Sequence, residues 1–329
     1  LVEATRACLA AGDQAMLFIN RRGYSTFVSC RACGHVEKCN QCDVSMTYHQ
    51  SDGMLHCHYC GDVRVPPRVC PECGSKFIKY FGTGTQKVEE EVRKLFPDVA
   101  VARMDVDTTT AKDAHEKILG DFRSGKTRVL VGTQMIAKGL DFPNVTLVGV
   151  VAADLSLHVP DYRSVERTFQ LITQVAGRAG RADAPGRVIV QTYDPDHYGI
   201  QLAAKQDYRA FYFKEETIRR RGLYPPFTVL ARLLVSSKQP ETAQKTAEQL
   251  EAQLNRLLDD HPAWRADTIQ MRALEAPLNM LRGEARWQVF IKMYARPTAD
   301  EVIAEMEQLE RQESPGARVE LEVNPTAML

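Results

Sequence analysis

Eight of the nine cysteines in this 329-residue chain fall between Cys30 and Cys73, as four C-x-x-C pairs: Cys30/Cys33, Cys39/Cys42, Cys57/Cys60 and Cys70/Cys73. With no secretion signal in the chain, such clustering points to metal rather than to disulfides. Each pair reads as a tight knuckle that aims two thiolates at one ion, so four pairs make two tetrahedral zinc sites of four thiolates each. Fourteen residues separate Cys42 from Cys57, with Asp52-Gly53 placed to turn a hairpin between them. Closing that inner site brings Cys39 to Cys60, and the outer pairs Cys30/Cys33 and Cys70/Cys73 are then drawn together. This nested arrangement is favoured over sequential pairing, whose five-residue gap between Cys33 and Cys39 is cramped. Eight thiolates fill both sites, so His35, His49, His56 and His58 are expected in solvent. No coordination position is left open, which makes the sites structural. The stretch has too few apolar residues to fold without its metals.

The rest of the chain sets the context of this module. Short apolar runs recur at 15–20, 77–82, 99–105, 128–133, 145–151 and 187–193. Helical patterns separate most of them, including 85–96 and 111–122 with one apolar face each. Alternating helices and near-continuously apolar strands predict an α/β domain with a parallel sheet covered on both faces. The cysteine module is then an insertion between the first strand and the second. Beyond Pro225-Pro226 the order becomes strand 227–236, helix 240–258, strands 268–275 and 286–294, helix 298–312 and strand 317–323. That β-α-β-β-α-β order is ferredoxin-like.

"GDFRSGKT" (120–127) fits the phosphate-loop pattern G-x-x-x-x-G-K-[ST]. A phosphate loop must follow a strand and open a helix, so that helix N-terminal amides meet the phosphates. This stretch ends a helix and leads into a strand, so Lys126 has no amide cradle. "QVAGRAGR" (174–181) is the better phosphate candidate. It reads as a helix N-terminal region whose Gln174, Arg178 and Arg181 suit a polyphosphate, because guanidinium groups fork onto phosphate oxygens.

"VLVGTQMIAKGLDFPNVTLVGVVAAD" and "QLITQVAGRAGR" resemble motifs V and VI of superfamily 2 helicases. "LFINRRGY" (17–24), the four C-x-x-C pairs and "RRGLYPPF" (220–227) narrow the resemblance to the bacterial replication-restart helicases of the primosomal protein N′ family. The resemblance implies an ATP-dependent 3′–5′ DNA helicase that restarts stalled replication forks and initiates primosome assembly. ATP with Mg²⁺ would sit between two RecA-like lobes and be held mostly by lobe one. That lobe's phosphate loop and acidic motif are not visible here; "VAADLSLH" (151–158) holds Asp154 alone. The chain, which begins at Leu1 without an initiator Met, is therefore expected to be lobe two (1–29 and 77–225), the inserted zinc module (30–76) and a C-terminal α+β domain (226–329), inactive alone.

By the same resemblance Arg181 is the arginine finger, with Arg178 and Gln174 on the phosphates or attacking water. Gly139 and Asp141 would line the nucleotide, Asp141 toward the ribose. Thr133, Thr83, Thr85, Arg21 and Arg22 would follow the DNA backbone. The implied partners are forked or single-stranded DNA, single-stranded DNA-binding protein, and primosome and helicase-loading proteins. The implied location is cytoplasmic and nucleoid-associated, and no membrane role is expected.

Charge qualifies the picture. Lys+Arg and Asp+Glu balance at 42 each, which is not the strongly basic balance of a non-specific DNA binder. Residues 205–232 carry seven basic against three acidic side chains, whereas from Pro240 onward acids lead sixteen to ten. Within that acidic part, Arg282, Arg286, Lys292 and Arg296 beside Trp287 form a candidate patch for an acidic peptide. Two other classes stay open: a non-catalytic zinc-dependent nucleic-acid-binding module, and a cysteine redox protein, which two bound zinc ions per chain would exclude.

Overall fold

The computed structural model describes residues 1–19, 27–49, 52–80, 85–105, 108–109, 114–133, 136, 142–177 and 186–326. The chain opens with helix α1 (Val2–Ala10) and strand β1 (Gln14–Ile19), then leaves for the cysteine module. That module runs through β2 (Val28–Cys30), β3 (Thr47–Tyr48), β4 (Leu55–His56), β5 (Val63–Arg64) and β6 (Ile78–Tyr80). The chain returns with α2 (Thr85–Leu95), β7 (Val101–Met104), α3 (Ala114–Arg123), β8 (Val129–Gly132), β9 (Val145–Val151), α4 (Asp154–Leu157), α5 (Ser164–Ala176) and β10 (Arg187–Val190). Helices α6 (Tyr198–Ala204) and α7 (Tyr208–Arg221) lead out. The last unit is β11 (Thr228–Ser237), α8 (Pro240–Asp260), α9 (Pro262–Asp267), β12 (Thr268–Leu281), β13 (Glu284–Tyr294), α10 (Pro297–Glu310) and β14 (Arg318–Val323).

Five strands form one parallel sheet in the order β10-β9-β1-β8-β7. Side chains alternate across a strand, so an apolar run buried throughout needs cover on both sides. Met16 and Phe18 of β1 join Leu130, Val148 and Val150 beneath Phe122, Phe169, Ile172 and Ile200. Ala15, Leu17 and Ile19 turn the other way, to Val129, Val131 and Leu147 under Cys8, Val88, Val92 and Phe96.

One sequence expectation fails here. The described part of the run at 77–82 does not enter the parallel sheet; β6 pairs antiparallel with β2, Cys30 opposite Ile78. The two strands form a stalk that carries the module out and back, which a short apolar run cannot be distinguished from a core strand without its partner. The last unit has the antiparallel order β12-β13-β11-β14, the ferredoxin-like arrangement, with its two long helices on one face of the sheet.

The phosphate-loop pattern resolves as a helix-to-strand turn. Helix α3 ends at Arg123, Gly125 takes φ +78°, and the Gln14 side-chain amide donates to the carbonyls of Phe122 (2.6 Å) and Thr127 (2.8 Å). Lys126 points outward and pairs with Asp121 at 3.1 Å.

Candidate metal centres and motor face

The four C-x-x-C turns share one backbone construction. The amide of the residue directly after the second cysteine closes each turn: Gly34 donates to the carbonyl of Cys30, Asp43 to Cys39, Gly61 to Cys57 and Gly74 to Cys70, at 2.8–3.0 Å. Each first cysteine amide in turn donates to the carbonyl five residues on: His35, Val44, Asp62 and Ser75, all at 2.9 Å. The closing residue sits in the left-handed region in every case, which is why three of the four are glycine.

These turns gather the sulfurs into two groups, Cys30, Cys33, Cys70 and Cys73 in one and Cys39, Cys42, Cys57 and Cys60 in the other, each with its ligand atoms within 4.8 Å. This is the nested order. A tetrahedral ion with bonds of about 2.3 Å sets its thiolates about 3.8 Å apart. The separations Cys39–Cys60 (3.4 Å), Cys30–Cys73 (3.6 Å) and Cys33–Cys70 (3.7 Å) suit that geometry. The donor set is all thiolate and complete at four, which fits structural zinc.

The two sites differ in surroundings. All four inner cysteines are buried, whereas Cys33 and Cys73 of the outer site are exposed. The inner site shares a core with Tyr224, Leu230 and Phe290, so the module packs on the last unit as well as on the parallel-sheet lobe. Strand β13 explains this. Val289, Ile291 and Met293 turn to the helices, while Gln288, Phe290 and Lys292 turn to the module. Fully burying a ring such as Phe290 contributes on the order of 2–3 kcal/mol.

Polar groups complete the contact. The Tyr224 hydroxyl donates to the Cys42 carbonyl (2.6 Å), Gln288 to the His58 carbonyl (3.0 Å) and Arg272 to the Cys60 carbonyl (3.2 Å); Gln270 donates to the Tyr59 carbonyl. The Lys292 ammonium donates to the Gly222 carbonyl at 2.8 Å, lies 4.1 Å from the centre of the Tyr224 ring, and is pushed down to about 8 by burial. On its other side the Tyr224 ring stacks on Tyr162 of the lobe, 4.9 Å between centres and 4° between planes.

Two sequence expectations change here. His58 is buried, not solvated; its Nδ1 donates to the Glu275 carbonyl (3.1 Å) and burial holds it neutral, with its pKa pushed down to about 3. Its Nε2 therefore accepts from His49 Nε2 at 3.0 Å. The candidate basic patch also loses its centre, while Arg282 stays exposed. Arg286 is 8% exposed and donates to the Leu278 carbonyl, Lys292 is 6% exposed beside Tyr224, Trp287 joins the helix-side core, and Arg296 pairs with Asp267 at 2.5 Å. In an isolated ferredoxin-like unit that sheet face would meet water; here the inserted module covers it.

On the motor side, Thr133 is half-buried where β8 ends, and its carbonyl accepts from the Ile136 amide at 3.1 Å. Thr85 is buried, and its hydroxyl donates to Asp105 at 2.5 Å, so the side chain is engaged within the lobe. Gln174 lies in the last turn of α5, with Gly177 as its cap; the "QVAG" segment ends a helix rather than beginning one. Asp154 is buried and accepts from Thr192 (3.0 Å) and the Tyr193 amide (3.1 Å), tying the loop after β10 to the lobe. Arg21, Arg22, Thr83, Gly139, Asp141, Arg178 and Arg181 lie outside the described residues. Among the described residues no helix is long and apolar enough to cross a membrane.

Sequence reasoning missed Tyr224, Gln270, Arg272 and Gln288 as neighbours of the metal site. The available signal was "RRGLYPPF", a motif with no assigned role, and the polar side chains spaced two apart on β12 and β13.

Comparison with known proteins agrees with this architecture. Residues 73–183 match the helicase conserved C-terminal domain, 39–64 the PriA DNA helicase Cys-rich region (CRR) domain, and 220–326 the primosomal protein N C-terminal domain. Replication restart protein PriA of Bacillus subtilis is 47% identical over 331 residues, covering 100% of this chain and 40% of that protein. The proteins of the same name from Synechocystis and Haemophilus influenzae are 42% and 37% identical, covering 97% and 99% of this chain. The chain spans 38–44% of the length of these three relatives. It belongs to the replication restart protein PriA family, joining a helicase C-terminal lobe to that family's cysteine-rich region and C-terminal domain.

Proposed function

We propose that this chain is the second motor lobe (1–29 and 77–225), zinc module (30–76) and C-terminal domain (226–329) of an ATP-dependent 3′–5′ DNA helicase that restarts stalled forks and initiates primosome assembly. The observation that carries this reading is the match of the whole chain to PriA relatives, module by module. The sheet supports it: Thr133 stands at the C-terminal end of a parallel strand, where such sheets take ligands.

ATP with Mg²⁺ would be held mostly by a first lobe outside this chain and would supply the free energy for strand separation. Arg181 would stabilise charge on the γ-phosphoryl group, with Arg178 and Gln174 on the phosphates and Gly139 and Asp141 along the nucleotide. Thr133, Thr83, Thr85, Arg21 and Arg22 would track the DNA backbone, Thr85 through its amide, since its hydroxyl is engaged by Asp105. Helix α7 offers further support for nucleic-acid contact, with Tyr208, Tyr212 and Phe213 exposed beside the basic Arg209 and Lys214. Single-stranded DNA-binding protein, primosome components and helicase loaders are the proposed protein partners, in a cytoplasmic, nucleoid-associated setting.

Complementation tests the proposal. The chain is mixed with the remaining N-terminal portion of a PriA relative, and DNA-stimulated ATP hydrolysis is measured. Restored hydrolysis that falls on the order of 10³-fold in Arg181→Ala is the expected result. DNA binding by this chain with no restored hydrolysis would instead favour a zinc-dependent nucleic-acid-binding module without catalysis.

A further inference from the structure

The contacts around the inner cysteines form a pattern that the cysteine spacing does not contain. Tyr224 donates to the carbonyl of Cys42; Gln288, Gln270 and Arg272 donate to the carbonyls of His58, Tyr59 and Cys60. The last three are consecutive carbonyls of a single knuckle. The groups holding them come from β12 and β13, more than two hundred residues along the chain from that knuckle. His58 returns the contact through Nδ1 to the Glu275 carbonyl. Gly61, which closes this knuckle, lies with the Arg272 side chain 3.6 Å from the position a Cβ would take. Among the described residues the outer site shows no such set of donors from the last unit. It approaches the motor lobe instead, where Gly34 meets the Tyr193 carbonyl, Arg31 lies 5.0 Å over the Tyr193 ring, and Val36 packs with Phe27 against Ala152 and Leu155.

Groups that fix the orientation of metal ligands set how tightly the metal is kept. We propose that the C-terminal domain, with the segment that leads into it, is the outer coordination sphere of the inner zinc site, with Gln270, Arg272 and Gln288 of the domain and Tyr224 of the leading segment as positioning residues, so that inner zinc binding and docking of that domain stabilise each other. Coupling of this kind is reciprocal. Docking slows loss of the inner zinc, and the inner zinc holds β12 and β13 against the module. The outer zinc is coupled to the lobe instead and is indifferent to these four side chains. The inference rests on the assignment of zinc to both cysteine groups.

The test follows zinc release from the metal-loaded chain to a colorimetric chelator, 4-(2-pyridylazo)resorcinol, after total zinc has been measured. Two zinc per chain are expected, one released fast and one slowly; Cys33→Ser removes the fast phase and so assigns it to the outer site. Arg272→Ala, at an exposed side chain, and Tyr224→Phe, which keeps the ring, each speed the slow phase about 10-fold and the pair more, leaving the fast phase unmoved. In the reverse direction, Cys57→Ser raises amide hydrogen exchange across 270–290, and Cys33→Ser does not. An unchanged slow phase in both outer-sphere variants, or equal acceleration of both phases, overturns the inference. Fewer than two zinc in the parent chain overturns the metal assignment itself, and the inference with it.

Discussion

The two metal sites are built from the same turn, repeated four times, yet they stand in opposite surroundings. The inner site has four buried sulfurs inside a core shared with Tyr224, Leu230 and Phe290. The outer site leaves Cys33 and Cys73 exposed and sits against the lobe through Gly34 and Tyr193. A zinc knuckle by itself fixes only local backbone. What the metal stabilises beyond that depends on what packs on the knuckle's outward carbonyls. The inner site joins the module to the last unit; the outer site braces the stalk against the motor lobe. A cleft of about 930 Å³ separates the module from the lobe, lined by His35, Lys38 and Asp43 on one side and His158, Asp161 and Tyr198 on the other.

Breaking each site should expose the difference. Cys57→Ser should cost about 4 kcal/mol or more and undock the last unit, because metal loss and loss of the shared core occur together. Cys33→Ser should cost clearly less and leave that unit docked; thermal unfolding with a C-terminal tryptophan probe distinguishes the two. Equal losses would erase the contrast. Next in size is Phe290→Ala, at a fully buried ring in the shared core, expected to destabilise by about 3–5 kcal/mol in chemical denaturation and to leave outer zinc release unchanged.

The outer site can be sharpened with two glycines. Gly34 and Gly74 both have left-handed backbones, φ +78° and +69°. A Cβ at Gly34 would lie 2.9 Å from the Tyr193 carbonyl oxygen, and one at Gly74 would meet nothing within 4 Å. Gly74→Ala should therefore show the backbone cost alone, about 1–2 kcal/mol, and Gly34→Ala distinctly more. Denaturant midpoints that fall equally would mean the lobe contact yields freely. The smallest effect belongs to Lys126→Ala, which removes an exposed pair with Asp121 and should change stability by less than about 1 kcal/mol. It should also leave complemented ATP hydrolysis intact; a collapse of hydrolysis there would revive the phosphate-loop reading of 120–127.

Much of this architecture was legible in residue order. Strands buried on both faces read as continuous apolar runs, and β1, β8 and β9 carry that signature. The first long helix of the last unit showed its apolar face, with Ala243, Ala247, Leu250 and Leu254 along it. The stalk strand β6 was misread because a three-residue strand carries no record of its partner. The "QVAG" turn was misread because a Gly-rich stretch suits either end of a helix. The basic residues of β13 were misread because alternation tells which side chains share a face, and nothing about what covers that face.

Residue order alone thus settled the grouping of the module: C-x-x-C spacing gathers eight thiolates into two sets of four, and the closing glycines follow from the left-handed turn that each knuckle needs. Hydrophobic period settled which segments became strands and helices. Only the tertiary structure decided that the inner site would be enclosed by β12 and β13 and the outer one left at the surface. The reason is range. Spacing and period act over a few residues, whereas the donors to the inner knuckle's carbonyls arrive from the far end of the chain and meet them only when all three units have packed around Tyr224.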